Sequence, residues 1–513
     1  MSFISPALKG IIKLRKSVMD NFLLNPIDTQ KQVFNKLISS AQFTEYGKDH
    51  NFEKINSIQD FQQQVPINDY ESLKKYIDAT IEGQQNILWP SEINWFAKSS
   101  GTTSDKSKFI PVSTESLKEN HFKSGKDILS LYIQQFPDSK ITDGKCLVIG
   151  GSHQINQMTE DSFYGDLSAV MIQNMPSTWQ LLRTPELATA LLSEWEEKIE
   201  RIAQETIHEN VTFIAGVPTW TVVLIKRIFE ITGKDNLLDV WPNLELYIHG
   251  GVSFTPYRAQ FQSMIRGEQM HYLETYNASE GFFAAQDNLN EEGMALFLNH
   301  GIFYEFLPIE QIGETNPSTC LLHEVELGKN YALIISTNGG LWRYNLGDTV
   351  QFTSLDPFRI KVTGRVKFFI NAFGEEVIVD NADQAIAAAC EKTNALVSDY
   401  TAAPIFMNAD SNGAHEWLIE FEKAPTDLNL FIETLDLTLQ KINSDYEAKR
   451  YKNIALRMPV VHAIPQGAFH DWLKSKGKLG GQHKIPRPTH LPLSPKLAKS
   501  QNSPTKKNAN MKS

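Results

Sequence analysis

Residues 244–251 read LELYIHGG, a short and mostly apolar run that ends in His249-Gly250-Gly251. A run with apolar residues on both faces suits a strand covered on both sides, as in parallel sheet. Four further runs have this form: KCLVIGG (145–151), NVTFIAGV (210–217), MHYLETY (270–276) and YALIIST (331–337). Helical patterns lie between them. The clearest spans Pro185 to about His208, with Thr184 as its cap, Pro185 in its first turn, and Leu187, Leu191, Trp195, Ile199 and Ile202 on one stripe. Strands alternating with helices give an α/β fold, in which ligands gather beyond the carboxyl ends of the strands. There this chain keeps its small and polar residues: Gly150-Gly151, Gly216, His249-Gly250-Gly251 and Asn277-Ala278-Ser279-Glu280.

The chain is 513 residues long, enough for two or three folding units, with the 41% hydrophobic and 21% charged residues of an ordinary globular protein. Beyond about Val362 the pattern changes. HEWLIEFE, an amphipathic stretch Leu428 to Ile442, and NIALRMPVVHAI suggest a smaller α+β unit, with Gly364 and Gly374 flanking a candidate hinge. Residues 491–513 are basic and poor in large apolar side chains, so they read as a disordered tail. The expected division is 1–366, 367–490 and 491–513. Removing the tail's five lysines from a net charge of −11 leaves −16 on the rest, which gives no general attraction for nucleic acid.

Cys146, Cys320 and Cys390 lie far apart and form no CxxC pair, which fits a reducing, cytoplasmic setting better than a disulfide framework or a zinc ribbon. No run approaches the roughly 18 apolar residues of a membrane span. Lys9, Lys13, Arg15 and Lys16 beside Ile11, Ile12 and Leu14 suit a helix on a membrane surface or one packed on its own domain. No membrane partner is expected.

Four stretches carry candidate chemistry. In SSGTTSDKSK (99–108) small residues let backbone N–H groups approach an anion, hydroxyls add donors, and Lys106 and Lys108 add charge, although the Walker spacing is absent. A flexible surface loop has the same composition. TYNASEG (275–281) offers a ring at Tyr276, a hydroxyl at Ser279 and a carboxylate at Glu280, suited to adenine, phosphate and Mg²⁺ respectively. The alternative makes Tyr276 core and Glu280 a charge at a helix start. GLWRYNLGDTVQF (340–352) brings Arg343 and Asp348 around Gly347, and an Asp in such a turn accepts hydrogen bonds from ribose hydroxyls or serves only the turn. KSKGKLGGQHKIPRP (474–488) strings glycines ahead of Lys484, as a mobile loop delivering a cation would, or a basic surface loop.

Together and in this order, these stretches resemble the adenylate-forming superfamily. More closely, the chain resembles the Gretchen Hagen 3 (auxin-responsive) family of acyl acid amido synthetases. The likeness runs through VPINDYESLKKYI, SSGTTSDKSKFIP, GVPTW, WPNLELYIHGG, YNASEGFFAAQ, FYEFLP, LWRYNLGD, INAFGEEV and GGQHKIPR, from about Phe22 to Arg487. It implies a large N-terminal domain with mixed and parallel sheets flanked by helices, and a small, mobile α+β C-terminal domain. It implies ATP and Mg²⁺, with a carboxylic acid and an amino acid or other amine as partners. Ser99, Ser100, Gly101, Thr102 and Thr103 would form the phosphate loop, and His249, Gly250 and Gly251 would line the adenine pocket. Tyr276 would stack near adenine, Ser279 would face the α-phosphate, and Glu280 would bind Mg²⁺. Asp348 would hold the ribose, Arg365 would contact the nucleotide near the hinge, and Lys484 would assist adenylation. The superfamily usually has Gly then Pro where this chain has Asp105 and Ser107. Aromatic residues Phe163, Tyr164, Trp179 and Trp220 are candidates for the acid pocket. The alternatives in function are a ligase making a thioester with coenzyme A and a nucleotide-binding regulator without turnover.

Overall fold

The computed structural model describes residues 24–99, 108–149, 155–192, 194–251, 254–314, 316–366, 369–370, 377–405, 413–450 and 456–475. These fall into two compact units, the larger built from 24–366 apart from 255–257, the smaller including 369–475.

In the larger unit, strands β1 (Trp95–Ser99) and β2 (Lys108–Val112) pair antiparallel, with Ser99 opposite Lys108. The main sheet follows: β3 (Lys145–Val148), β4 (Arg183–Thr184), β5 (Val211–Gly216), β6 (Leu246–Gly250), β7 (His271–Ala278), β8 (Gly281–Ala285), β9 (Met294–Leu296), β10 (Ile302–Pro308), β11 (Asn330–Thr337), β12 (Tyr344–Leu355) and β13 (Phe358–Arg365). Its eleven strands lie in the order β10-β11-β12-β13-β9-β8-β7-β6-β5-β3-β4. All five apolar runs are strands: four of them, β3, β5, β6 and β7, run parallel together with β4, whereas YALIIST is β11, buried on both faces but paired antiparallel on both sides. From β7 onward the sheet is antiparallel, so the fold is mixed α/β.

The single helix expected from Pro185 to His208 is interrupted. Thr184 belongs to β4, a short helix covers Leu187–Ala190, and a second covers Trp195–Thr206. Lys198, fully buried, turns back to donate to the Ala190 carbonyl at 2.6 Å, satisfying an acceptor that the break leaves without an intrahelical partner.

The segment VPIND docks on the strand that carries the RYNLGD motif. Asn68 N–H donates to Arg343 O at 2.8 Å, and Asn345 N–H donates to Asn68 O at 2.7 Å. The Asn68 side chain also donates to Trp342 O and to the Tyr46 hydroxyl. Directly after it, Asp69 caps the helix Tyr70–Ile81 in a reciprocal box with Ser72.

The smaller unit is α+β. Strands β14 (Leu396–Ile405) and β15 (Ala414–Lys423) pair antiparallel, and β15 pairs parallel with β16 (Val460–Ile464). The amphipathic stretch is the helix Leu428–Ile442, whose Phe431, Leu435 and Leu439 pack with Trp417, Tyr400 and Ile386 in one buried cluster. The expected tail, 491–513, lies outside the described residues.

Candidate active site

The exit of β6 and the β7–β8 hairpin form the first wall of the site. Gly250 stands opposite Thr275 in the register, and a Cβ on it would sit 2.6 Å from the Thr275 carbonyl oxygen and 2.7 Å from its hydroxyl. Any side chain there would force β6 and β7 apart. Gly251 follows with φ +80°, a conformation that favours glycine. Beside them His249 is 2% exposed, its ring stacked on Phe254 with centroids 4.1 Å apart. Burial, helped by Arg258, pushes its pKa down to about 3 and keeps it neutral. Neither ring nitrogen has a hydrogen-bond partner among the described residues.

Ser279 and Glu280 form the two-residue turn between β7 and β8, where Gly281 pairs back with Ala278. Glu280 therefore starts no helix, because the chain reverses at once into an antiparallel strand. A turn this tight fixes both side chains at the sheet's rim. Ser279 is 5% exposed and its hydroxyl has no partner among the described residues, so a buried donor stands unspent. Burial raises the Glu280 carboxyl above its ordinary value, against the pull of Lys108.

Tyr276 is buried against Phe283, ring centroids 4.9 Å apart, and its hydroxyl donates to Asp348 Oδ2 at 2.9 Å. Asp348 stands opposite Arg365 on β13, and Arg365 Nε meets its Oδ1 at 2.8 Å. Asp348 keeps the Arg365 guanidinium firmly protonated. Each carboxylate oxygen thus has one fixed partner and lone pairs to spare. In the sheet order, β7 and β12 are four places apart, roughly 19 Å in a flat sheet. A direct hydrogen bond across that interval requires the sheet to curl until β7 and β12 face one another.

Lys108, expected from the sequence to add charge beside the small-residue loop, joins this group. Its Nζ lies 3.4 Å from the Tyr344 hydroxyl and near the rings of Tyr70 and Tyr344, and its charge acts on Glu280. The Tyr70 hydroxyl accepts from Phe109 N–H at 3.0 Å, fixing the start of β2. Nothing was expected of Asp69 and Ser72 from the sequence, but their spacing is a signal from which this helix start, and with it the place of Tyr70, could have been read. Arg343 of the same motif as Asp348 turns elsewhere, into a buried pair with Glu305. Ser99 ends β1 opposite Lys108, while Ser100, Gly101, Thr102, Thr103, Asp105 and Lys484 lie outside the described residues. Of the aromatic candidates for an acid pocket, half-buried Tyr164 meets Phe109 edge-on at 5.2 Å and Phe163 packs on Trp95.

The site as built offers an unspent hydroxyl, a neutral imidazole, an anchored carboxylate, and a second carboxylate facing a lysine. Among the described residues no group of three or more His, Cys, Asp or Glu is arranged to hold a metal ion.

Family models match nearly the whole chain: the GH3 family N-terminal domain over residues 15–270, the central domain over 295–365 and the C-terminal domain over 380–490. The chain is 22% identical to the indole-3-acetic acid-amido synthetase GH3.3 of Arabidopsis thaliana, over 94% of this chain and 92% of that protein. It is 22% identical to the jasmonoyl–L-amino acid synthetase JAR4 of Nicotiana attenuata, over 90% and 91%. Its fold matches the AtGH3.15 acyl acid amido synthetase in complex with 2,4-DB with a TM-score of 0.79 at 17% identity, covering 94% of both chains. A 2-hydroxyisobutyryl-CoA ligase in its postadenylation state matches with a TM-score of 0.53 at 10% identity, covering 88% of this chain and 86% of that one.

Proposed function

The chain belongs to the GH3 family, and from that premise we propose that it is an ATP-dependent acyl acid amido synthetase, joining a carboxylic acid to an amino acid through an acyl-adenylate. The observation that carries the reading is the pairing of unspent buried donors, Ser279 and His249, with the carboxylate of Asp348 held by Tyr276 and Arg365.

In the first half-reaction the substrate carboxylate attacks the α-phosphorus of ATP, a P–O bond breaks, and pyrophosphate leaves. The Ser279 hydroxyl donates to an α-phosphate oxygen, and Asp348 accepts from the ribose hydroxyls with the lone pairs that Tyr276 and Arg365 leave free. The neutral ring of His249 offers one donor and one acceptor to the adenine edge. Glu280 fits Mg²⁺, a cation that commonly takes one or two carboxylates and completes its shell with phosphate oxygens. Bound there, Mg²⁺ would offset charge on the phosphates. The smaller unit then turns, the amine attacks the acyl carbon of the mixed anhydride, and AMP leaves. The free cysteines support a cytoplasmic setting.

Purified protein with ATP, Mg²⁺ and a panel of acids is expected to release pyrophosphate only when an acid is present. Amino acid, hydroxylamine and coenzyme A offered as traps should give amide and hydroxamate, not thioester. No acid-dependent pyrophosphate would end the ligase reading. Lys484→Ala should slow adenylation by about an order of magnitude in single-turnover measurements, by loss of electrostatic stabilisation, and leave the melting temperature unchanged.

Glu280→Gln separates binding from stability. The folded protein holds the Glu280 proton more tightly than the unfolded chain does, so its burial costs stability as pH rises past the ordinary carboxyl range. At pH 7 the unliganded variant should therefore melt above the wild type, with the difference vanishing in acid. The same variant should need more Mg²⁺ for adenylation. A lower melting temperature at pH 7 would contradict the assignment.

A further inference from the structure

A cavity of about 500 Å³ opens beside the edge strand β4, away from the motifs described above. Strands β3 and β5 separate β4 from β6, and two lining residues, Lys145 at the start of β3 and Glu209 just before β5, mark the entry ends of the parallel strands. His249 and Gly250 stand at the opposite, exit ends.

Arg183 lines this cavity and is 7% exposed. Its Nη1 donates to Pro185 O at 2.7 Å, its Nε has no hydrogen-bond partner, and it forms no ion pair among the described residues. The ionisable neighbour acting on it is Cys146, whose thiol burial holds in the neutral form. A buried guanidinium without an anion is a costly arrangement that an anionic ligand would relieve. Lys145 and Glu209 pair with each other at 2.7 Å, so their charges cancel. Glu205 is anchored instead, accepting from the Thr189 hydroxyl and from Glu186 N–H at 3.2 Å. With Glu186 also in the lining, carboxylates outnumber cations, which disfavours a polyanion. Leu181, 67% exposed, and half-buried Leu187 add apolar surface.

We propose that this cavity is a second amino-acid site, distinct from that of the acceptor: an aliphatic α-amino acid binds as its zwitterion, carboxylate on Arg183, ammonium on Glu205, side chain against Leu181 and Leu187. The site needs neither ATP nor acyl acid, so it stands or falls independently of the ligase reading.

The test is calorimetric and saturation-transfer titration of the full-length protein with L-leucine, without ATP or acid. The controls are 4-methylpentanoate, which lacks the amine, and isopentylamine, which lacks the carboxylate. L-leucine should bind at least about tenfold more tightly than either, since each control loses one charge-assisted contact. Arg183→Gln and, separately, Glu205→Gln should weaken leucine binding at least about tenfold, while Asp348→Ala leaves it unchanged. Glu205 is only partly buried, so should Arg183→Gln fail to fold, Glu205→Gln decides alone. The proposal is overturned if leucine does not bind below about 10 mM, if either control binds equally well, or if binding survives in Glu205→Gln. Loss of binding in Asp348→Ala would also overturn it, by assigning the leucine to the nucleotide site.

Discussion

With the ribose contacts proposed for it, Asp348→Ala should raise KM for ATP by about two orders of magnitude, the loss expected when two charge-assisted hydrogen bonds disappear. The size follows from the carboxylate's surroundings. Its two oxygens are held by the Tyr276 hydroxyl and by Arg365, so it is oriented before any ligand arrives and spends little entropy on binding. The substitution also leaves the Tyr276 hydroxyl buried without an acceptor, a cost of roughly 1–3 kcal/mol in stability. Two controls divide these effects. Tyr276→Phe removes the hydroxyl together with its need for a partner, and should change KM for ATP by less than about tenfold. Asp348→Asn keeps an acceptor for Tyr276 and should recover stability but not ATP affinity. Steady-state kinetics across ATP concentrations, with melting curves for each variant, checks all three. An unchanged KM in Asp348→Ala would remove the ribose role.

Arg343→Met should destabilise the larger unit by about 3–5 kcal/mol, the usual cost of leaving one member of a buried ion pair alone. Arg343 is 4% exposed and Glu305 1%. The guanidinium meets both Glu305 oxygens, at 3.0 and 2.9 Å, and donates to Val65 O at 2.7 Å, Gln62 O at 2.8 Å and the Thr319 hydroxyl at 3.0 Å. One side chain thus ties three separated segments together. Its φ of +41° is uncommon for a residue with a side chain, and these contacts hold it there. In Arg343→Met the Glu305 carboxylate stays buried with no cation. Adding Glu305→Leu removes that orphaned charge and should restore part of the loss, whereas Glu305→Leu alone should be as harmful as Arg343→Met. Urea denaturation of the four proteins measures the coupling, and additive losses would refute it.

Arg343 and Asp348 lie five residues apart in one motif, yet one holds the fold and the other faces the site. Residue type and spacing do not separate these roles, because the left-handed turn at Arg343 decides which way its side chain leaves the strand. The strands were legible for a simpler reason: burial on both faces demands unbroken apolar runs, and KCLV, VTFIAG, LYIHG and YALIIST supply them. The break after Ala190 was not legible, since it depends on Lys198 reaching back to a carbonyl eight residues earlier. Nor was the hairpin turn at Ser279–Glu280. The same small and acidic residues suit a helix start, and only pairing of Gly281 with Ala278 chooses between them. The charge of Lys108 was legible but its partners were not, because Tyr344 in β12 and Glu280 in the β7–β8 turn lie more than 170 positions away.

The hydrogen bond between Tyr276 and Asp348 sets a rule for how such a chain can diverge. Its two residues are 72 positions apart along the chain but only one bond apart in space. Loops such as those before β11 can lengthen or shorten without disturbing it, because they lie outside the strands that determine the curl. Gaining or losing a strand between β7 and β12 would swing one partner away from the other. Relatives that keep a tyrosine and an aspartate at these places should therefore vary freely in loop length while preserving the strand count between them.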